Sequence, residues 1–333
     1  MRETDLQCYR RLPERKKTAW KAFLAGEELS AGEDADYTVL LCEEDAILAA
    51  GSRAGNILKY FAVAPERRGE GLTATVLTEL QKEAFLRGIE HLFLYTKPKN
   101  LSMFEGLRFS PVAETRDVLL MENRPNGVEE FLKNLPRAVE PGTGEIGAIV
   151  MNADPFTLGH RYLAETAAGR CDWLYIFVLS EDRGRFPARD RLELVRRGTA
   201  DLKNVTVYET GDYLISAATF PDYFLKKNTD STAVQCELDC RVFAEHFARR
   251  FGITRRFAGS EPESAVTESY NRQMERCLPE LGIGFTEIPR RMAADGRPVS
   301  AGRVRSAWEQ GRGEDYVNLV PETTYTYLKT GRL

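Results

Sequence analysis

IGAIVMNADPFTLGHRYL, residues 146–163, runs from an unbroken apolar stretch through a polar loop into a segment with helical spacing. The opening IGAIVM shows no alternation, the pattern of a strand covered on both faces. Asn152, Asp154 and Pro155 force a loop at its end, and Gly159 allows close backbone approach where the helix begins. The same rhythm continues downstream. WLYIFVLS reads as a second buried strand, ARDRLELVRRGTADL as a helix and VTVYETG as a strand. FAEHFARRFG reads as a helix, ITRRFAGS as a strand and TESYNRQMERCLPELG as a helix. Buried strands alternating with helices predict a Rossmann-like, doubly wound parallel sheet. Such sheets bind ligands beyond the carboxyl ends of their strands, and Met151 to His160 occupies the first of these ends.

Upstream the pattern differs. YTVLLCEE, AILAAGSRAG and ILKYFAVAP are β-rich runs, followed by a helical segment with Leu72, Val76, Leu77, Leu80 and Phe85 on its apolar positions. HLFLYTKP reads as a further strand and NLSMFEGL as a short helix. Pro125, Asn126 and Gly127, then Pro141, Gly142 and Gly144, break the rhythm. The expected division is an α/β domain over 1–124, a linker over 125–144 and the parallel-sheet domain over 145–333.

Composition narrows the function classes. A chain of 333 residues, 43% hydrophobic and 29% charged, has the balance of a globular protein with two cores. A net charge of −4 speaks against a broad nucleic-acid footprint but allows a local basic pocket. MRETDLQCYRRLPERKK lacks the apolar core of a signal peptide, and no later run is long enough to span a bilayer, so a cytoplasmic location is expected. The six cysteines are scattered without metal-ligand spacing, although Cys236 and Cys240 would share a helix face. They read as reduced thiols rather than a zinc site.

Two helix starts carry the chemistry. The first offers unpaired amides and a positive dipole end, with Thr157 and His160 beside them. Thr157 as a simple cap with an exposed His160 fits this loop equally well. The second, RPVSAGRVRSAWEQG, has Ser300 as a natural N-cap with Arg303 and Arg305 in the first turn. Cations are unfavourable there unless an anion shares the place, and guanidinium forks suit phosphate oxygens. Two anion-seeking helix starts in one α/β domain favour a nucleotide.

TLGH together with VSAGRVR resembles the HxGH and ISxTxxR signatures of the nucleotidyltransferases, which split ATP between its α and β phosphates. Thr157 stands where many members carry the first histidine, and Gly302 where a serine or threonine is usual. AGSEP follows a late strand, where that superfamily contacts the adenosine. The likeness extends further. IVMNADPFTLGHRYL, FPARDRLELVRRGTADLKNV, YLISAATFPDYFLK, AGSEPESAVTESYNRQM and VSAGRVR with LVPETTYTYL resemble the citrate lyase ligases, in order and wording, over residues 146–328.

That resemblance implies an acid–thiol ligase. ATP and acetate would give acetyl-adenylate and pyrophosphate. The acetyl group would then pass to the thiol of the CoA-like prosthetic group on the citrate lyase acyl carrier subunit, releasing AMP. His160, Thr157, Ser300 and Arg305 would be catalytic. Met151, Asn152, Ala153, Phe156, Gly159, His160, Gly259, Ser260, Glu261 and Arg305 would bind ATP, with Mg²⁺ held through the phosphates. No nucleic acid or membrane partner is implied.

FAVAPERRGEGLTATVLTEL resembles motif A of the GNAT acetyltransferases, which wraps a CoA pyrophosphate, and KPKNLSMFEGLRF resembles their later asparagine–phenylalanine segment. A GNAT-like first domain ahead of a nucleotidyltransferase domain is also the ligase arrangement. Arg68, Gly69 and Gly71 would cradle the diphosphate of the CoA-like arm; the other reading is a vestigial domain. Glu237 and Asp239 are candidates to approach Mg²⁺. Arg183, Arg185 and Arg189 read either as contacts for acetate or the carrier or as a solvated loop with ordinary salt bridges. Tyr223 and Lys226 fall near the expected site, Lys226 either on phosphate or on a helix surface. His91 and His246 read as structural. Rival activities are adenylyl transfer to a phosphorylated small molecule, and a GNAT-type acetyltransferase whose second domain binds a regulatory nucleotide.

Overall fold

The computed structural model describes residues 4–181, 184–214, 220–225, 229–260 and 265–333. It divides into two compact units, Met1–Gly127 with Phe220–Val234, and Val128–Thr219 with Gln235–Leu333.

The first unit runs β1 (Thr4–Tyr9), α1 (Glu14–Gly26), β2 (Tyr37–Glu43), β3 (Ala46–Ala54), β4 (Ile57–Val63), α2 (Leu72–Leu86), β5 (Phe93–Thr96), α3 (Leu101–Glu105), β6 (Ser110–Glu114) and β7 (Leu119–Glu122). Its sheet has the order β1-β2-β3-β4-β5-β7-β6. Neighbours are antiparallel except β4 and β5, which are parallel and pair only at Ile57↔Phe93 and Leu58↔Leu94. Val76, Leu77, Leu80 and Ala84 of α2 bury the predicted apolar stripe against Val39, Leu41 and Ala49. Phe85, placed on that stripe by its spacing, is exposed instead, because the helix turns it away from the sheet. This is an α/β unit, as the strand and helix patterning led one to expect.

The second unit runs α4 (Gly127–Lys133), β8 (Ile146–Met151), α5 (Leu158–Ala168), β9 (Trp173–Val178), α6 (Ala188–Gly198), β10 (Val205–Glu209), α7 (Ser231–Val242), α8 (Arg249–Phe251), β11 (Arg255–Gly259), α9 (Ala265–Glu280), β12 (Gly284–Ile288), α10 (Ala301–Glu309) and α11 (Glu322–Thr330). The sheet is wholly parallel, in the order β10-β9-β8-β11-β12. The chain builds outward from β8 to β10, then crosses back to β11 and builds outward on the other side. The switch in strand order therefore lies between β8 and β11, where a doubly wound sheet leaves a crevice at its carboxyl edge. The expected FAEHFARRFG helix is the end of a longer helical run. Phe243–Ala248 form a π-turn between α7 and α8, and this wider turn keeps Phe243, Phe247 and Phe251 buried.

The domain boundaries differ from the sequence expectation in two places. Residues 125–144 hold α4, whose end is tied to the second unit: Arg250 donates from Nε to the Leu132 carbonyl at 3.1 Å and from Nη2 to Leu135 at 3.2 Å. Phe220–Val234 groups with the first unit. There the Tyr223 ring packs against Tyr60 at 4.6 Å, its hydroxyl donates to the Tyr95 carbonyl at 3.2 Å, and its carbonyl accepts from Ser30 N at 2.8 Å.

Candidate functional site

The loop after β8 is pinned by its own acid. Asp154 accepts from the backbone N–H of Phe186 at 2.9 Å and of Arg185 at 3.0 Å, which fastens it to the segment before α6. Fully buried Arg191 adds a second tie, donating to the Asn152 carbonyl at 2.6 Å, the Asn152 Oδ1 at 2.7 Å and the Glu181 carbonyl at 2.5 Å. Ala153 takes a left-handed conformation, φ 51°, in this turn. Met151, Ala153 and Phe156 are buried, with the Phe156 ring stacked on His160 at 5.9 Å.

Thr157 caps α5 in a reciprocal capping box with His160. The Thr157 Oγ1 accepts from the His160 backbone N–H at 3.3 Å, and the Thr157 backbone N–H donates to His160 Nδ1 at 3.1 Å. Because Nδ1 accepts, the neutral imidazole carries its proton on Nε2. The Thr157 hydroxyl lies 3.0 Å from the same Nδ1. Buried Thr157 thus takes the capping role, one of the two that the sequence left open. His160 itself is half-buried, and burial first, then Arg290 and Arg305, push its pKa down to about 4. A neutral imidazole with an Nε2–H donor between two cations results.

The second helix start lies directly alongside the first. A Cβ at Gly159 would stand 2.7 Å from the Val299 carbonyl oxygen, so only glycine lets α5 open this close to the residue preceding Ser300. Ser300 caps α10, its Oγ accepting from Arg303 N at 3.3 Å and keeping its own proton to donate. Arg305 reaches back to the Asp154 carbonyl, with Nη1 3.6 Å from Asp154 Oδ2. Arg303 is committed elsewhere, to Asp295 at 2.5 Å and the Pro298 carbonyl at 2.9 Å. Gly302 leaves space, since a Cβ there would come no closer than 4.0 Å to Arg305 Nη2 or Ser300 Oγ.

From β11, Gly259 and Ser260 close the other side of the crevice. The Gly259 carbonyl accepts from Asn271 Nδ2 at 3.0 Å, and the nearest atom to a Gly259 Cβ would be Leu163 Cδ2 at 3.8 Å, so that face is open. Ser260 Oγ accepts from Arg290 N at 3.1 Å. The structure brings together His160, Thr157, Gly159, Ser300, Arg305 and Ser260, gives the loop former Asp154 a tying role, and adds Arg191 and Arg290, which the sequence did not single out. Glu261, Arg183 and Lys226 lie outside the described residues.

Other candidates have partners away from this crevice or at its surface. Asp239 is buried against Arg256 at 2.7 Å instead of facing the site, because the buried guanidinium needs a counter-charge. Among the described residues no group of three His, Cys, Asp or Glu could hold a metal. His91 bonds Glu122 at 2.6 Å, and His246 lies 3.5 Å from Glu129. Arg185 stands over the Trp308 ring at 5.5 Å and pairs with Glu309 at 3.2 Å.

In the first unit, a cleft of about 1020 Å³ opens beside the short β4–β5 ladder, and Arg67, Arg68, Gly69, Gly71, Lys97 and Tyr223 are among its lining. Gly69 (φ 87°) and Gly71 (φ 77°) are left-handed, and Gly71 precedes α2. Arg68 forms an ion pair with Glu27 in the same cleft. Among the described residues no helix is long and apolar enough to cross a membrane.

Residues 146–328 match the family model described as the citrate lyase ligase C-terminal domain. The chain is 39% identical to the [citrate [pro-3S]-lyase] ligase of Klebsiella pneumoniae over 318 residues, 94% of this chain and 92% of that protein. It is also 39% identical to the Escherichia coli K12 protein of that name over 322 residues, 95% of this chain and 91% of that one. Among solved structures, an acyl-CoA N-acyltransferase from Pseudomonas aeruginosa aligns with 37% of this chain and all of its own, at 12% identity and a TM-score of 0.32.

Proposed function

Because the chain belongs to the citrate lyase ligase family, we propose that it activates acetate as acetyl-adenylate in the second unit. The acetyl group then goes to the thiol of the CoA-like group on the citrate lyase acyl carrier subunit. The carrying observation is the imidazole of His160, held neutral with its Nε2 proton outward where two helix starts meet at the switch in strand order.

An acetate oxygen attacks the α-phosphorus, the bond from phosphorus to the bridging oxygen breaks, and pyrophosphate leaves. His160 donates from Nε2 to an α-phosphoryl oxygen as negative charge builds on it, while Thr157 fixes the ring through Nδ1. Since the ring is already neutral, it donates a hydrogen bond without surrendering a proton. Ser300 and Arg305 hold the outgoing β and γ oxygens at the start of α10, where the helix dipole also favours negative charge. Met151, Asn152, Ala153, Phe156 and Gly159 form the loop under the nucleotide, and the open face of Gly259, with Ser260 and Glu261, receives the adenosine. In the second half-reaction the carrier thiolate attacks the acyl carbon and AMP leaves, the thiol proton passing to water. Mg²⁺ would arrive on ATP and neutralise phosphate charge; no cluster of protein ligands among the described residues is arranged for it.

The first unit is read as the cradle for the CoA-like arm, with Arg68, Gly69 and Gly71 on its diphosphate. The support is the cleft beside α2, whose opening combines left-handed glycines with a cation. A cytoplasmic location goes with this reading, because all six cysteines are free thiols as in a reducing compartment. The test is exchange of labelled pyrophosphate into ATP with no carrier present. Exchange that requires acetate supports the reading. Exchange that requires a phosphorylated acceptor instead, or none at all, overturns it.

A further inference from the structure

Tyr223 belongs to the first unit although it arrives from a late stretch of the chain, and it lodges where β4 and β5 part company. Those strands pair only at Ile57↔Phe93 and Leu58↔Leu94. Beyond that point the cleft is lined from both of them, by Phe61, Ala62 and Val63 of β4 and by Leu94 and Thr96 of β5. Tyr223 spans the two. Its ring packs on Tyr60 of β4 with 4.6 Å between centroids, and its hydroxyl donates to the Tyr95 carbonyl of β5 at 3.2 Å.

The ring is held against swinging aside. Tyr223 is buried, and its own carbonyl accepts from the Ser30 N–H at 2.8 Å. Tyr60 behind it is fixed as well: its hydroxyl donates to Asp34 Oδ1 at 2.8 Å and accepts from Gly32 N at 3.1 Å, and Trp20 stands edge-on to its ring at 5.3 Å. Tyr60 takes a left-handed backbone, φ 59°, which a residue other than glycine adopts at a cost. It does so at a β-bulge, where Tyr60 and Phe61 together stand opposite Gly51. Bulges of this kind re-aim side chains, and here the result is a ring laid against Tyr223.

The lining therefore changes character within one cleft. Arg67, Arg68 and two left-handed glycines bring charge where α2 begins, whereas the gap between β4 and β5 is walled by Phe61 and Leu94 and stopped by Tyr223. An arm whose diphosphate occupies the charged part directs its neutral, thiol-bearing end into the apolar part. We propose that Tyr223 sets the depth of this cleft, so that the first unit accepts the carrier arm as its free thiol and turns away the acetyl thioester. This rests on the first unit being the cradle for the arm. It adds to that reading the chemical form that is held and the residue that selects it, so the same ring retains the substrate and sheds the product.

The test measures binding of the full-length protein to the acyl carrier subunit with its arm as free thiol and as acetyl thioester. Calorimetry without ATP serves for wild type, Tyr223→Ala, Tyr223→Phe and Arg68→Ala. A fixed ring that excludes an acetyl group predicts that wild type prefers the thiol form by about tenfold or more. Tyr223→Ala is expected to bring the two forms within about twofold of each other, while Tyr223→Phe, which keeps the ring, retains most of the preference. Equal binding of both forms by wild type overturns the proposal. A Tyr223→Ala variant with the wild-type ratio does so too, whether or not both forms weaken, because a merely structural role would act on them alike. Should the alanine variant not fold, Tyr223→Leu removes the ring under the same criterion. Arg68→Ala keeps the two readings apart. If it leaves both affinities at their wild-type values, the arm does not bind in this cleft; if it weakens both while Tyr223→Ala leaves the thiol preference intact, only the tyrosine assignment fails.

Discussion

Gly159→Ala is the sharpest probe of a site assembled from two helix starts. The added methyl would stand 2.7 Å from the Val299 carbonyl oxygen, about 0.7 Å inside the 3.4 Å at which ordinary contact begins. The obstacle is backbone on one side and helix on the other, so no side-chain rotation relieves it. Overpacking of this kind costs about 1–3 kcal/mol. The cheapest relief is a shift of the α10 entry away from α5 by several tenths of an ångström, which moves Ser300 and Arg305 relative to His160. A displacement approaching 1 Å at a catalytic constellation can cost about a hundredfold in rate. We expect acetate-dependent pyrophosphate exchange to fall by ~10–100-fold while the melting temperature drops by only a few degrees. A variant with wild-type exchange and wild-type melting would refute the reasoning, because it would mean that the two helix starts are not in contact. A variant that melts far lower without losing specific activity would mean that their contact serves stability alone.

His160→Gln should lower the exchange rate by ~10²-fold or more with little change in the Michaelis constant for ATP, as for other donors acting on developing charge, measured by steady-state exchange. Because the folded pKa of His160 is pushed down to about 4, from an ordinary 6.5, wild-type activity should show no inflection from this group between pH 5 and 8. Between pH 6.5 and about 4 the unfolded chain takes up a proton that the folded imidazole refuses, so His160 subtracts stability across that window. Melting curves of His160→Gln should accordingly fall less steeply with acidification there than wild type. In the first unit, Arg68→Ala should raise the Michaelis constant for the loaded carrier and leave exchange untouched. Glu27→Gln, which frees Arg68 from its ion pair, should lower that constant by about two- to fivefold. Asp239→Ala strands the Arg256 guanidinium at a buried position, and calorimetry should show melting of the second unit lowered by on the order of 10 °C.

The parallel sheet was legible because β8 and β9 are continuous apolar runs, and the crevice because two capped helix starts carry their own residue signatures. Less could be read where burial gives no pattern. No residue of β1 is buried, so this edge strand presents no hydrophobic periodicity. The GFTEI strand β12 buries only its last residue. The role of Thr157 needed coordinates, since a threonine at this position can equally face a ligand or aim a neighbouring ring. Arg290 was invisible for a different reason. Its guanidinium donates to backbone carbonyls at 260 and 299, and a carbonyl leaves no mark in the alphabet of side chains. The placement of 220–234 in the first unit likewise depends on where Tyr223 lodges, not on composition.

That excursion of the chain has a practical corollary for dissecting the protein. The polypeptide visits the first unit twice, so the two units are joined by three crossings instead of one, and no single cut releases either of them whole. A fragment ending near residue 127 would leave the Tyr60 and Tyr95 surfaces bare where Tyr223 and Phe220 should cover them. Separating the two units therefore calls for rewiring the connectivity, with 220–234 grafted back onto the shorter piece, rather than for truncation.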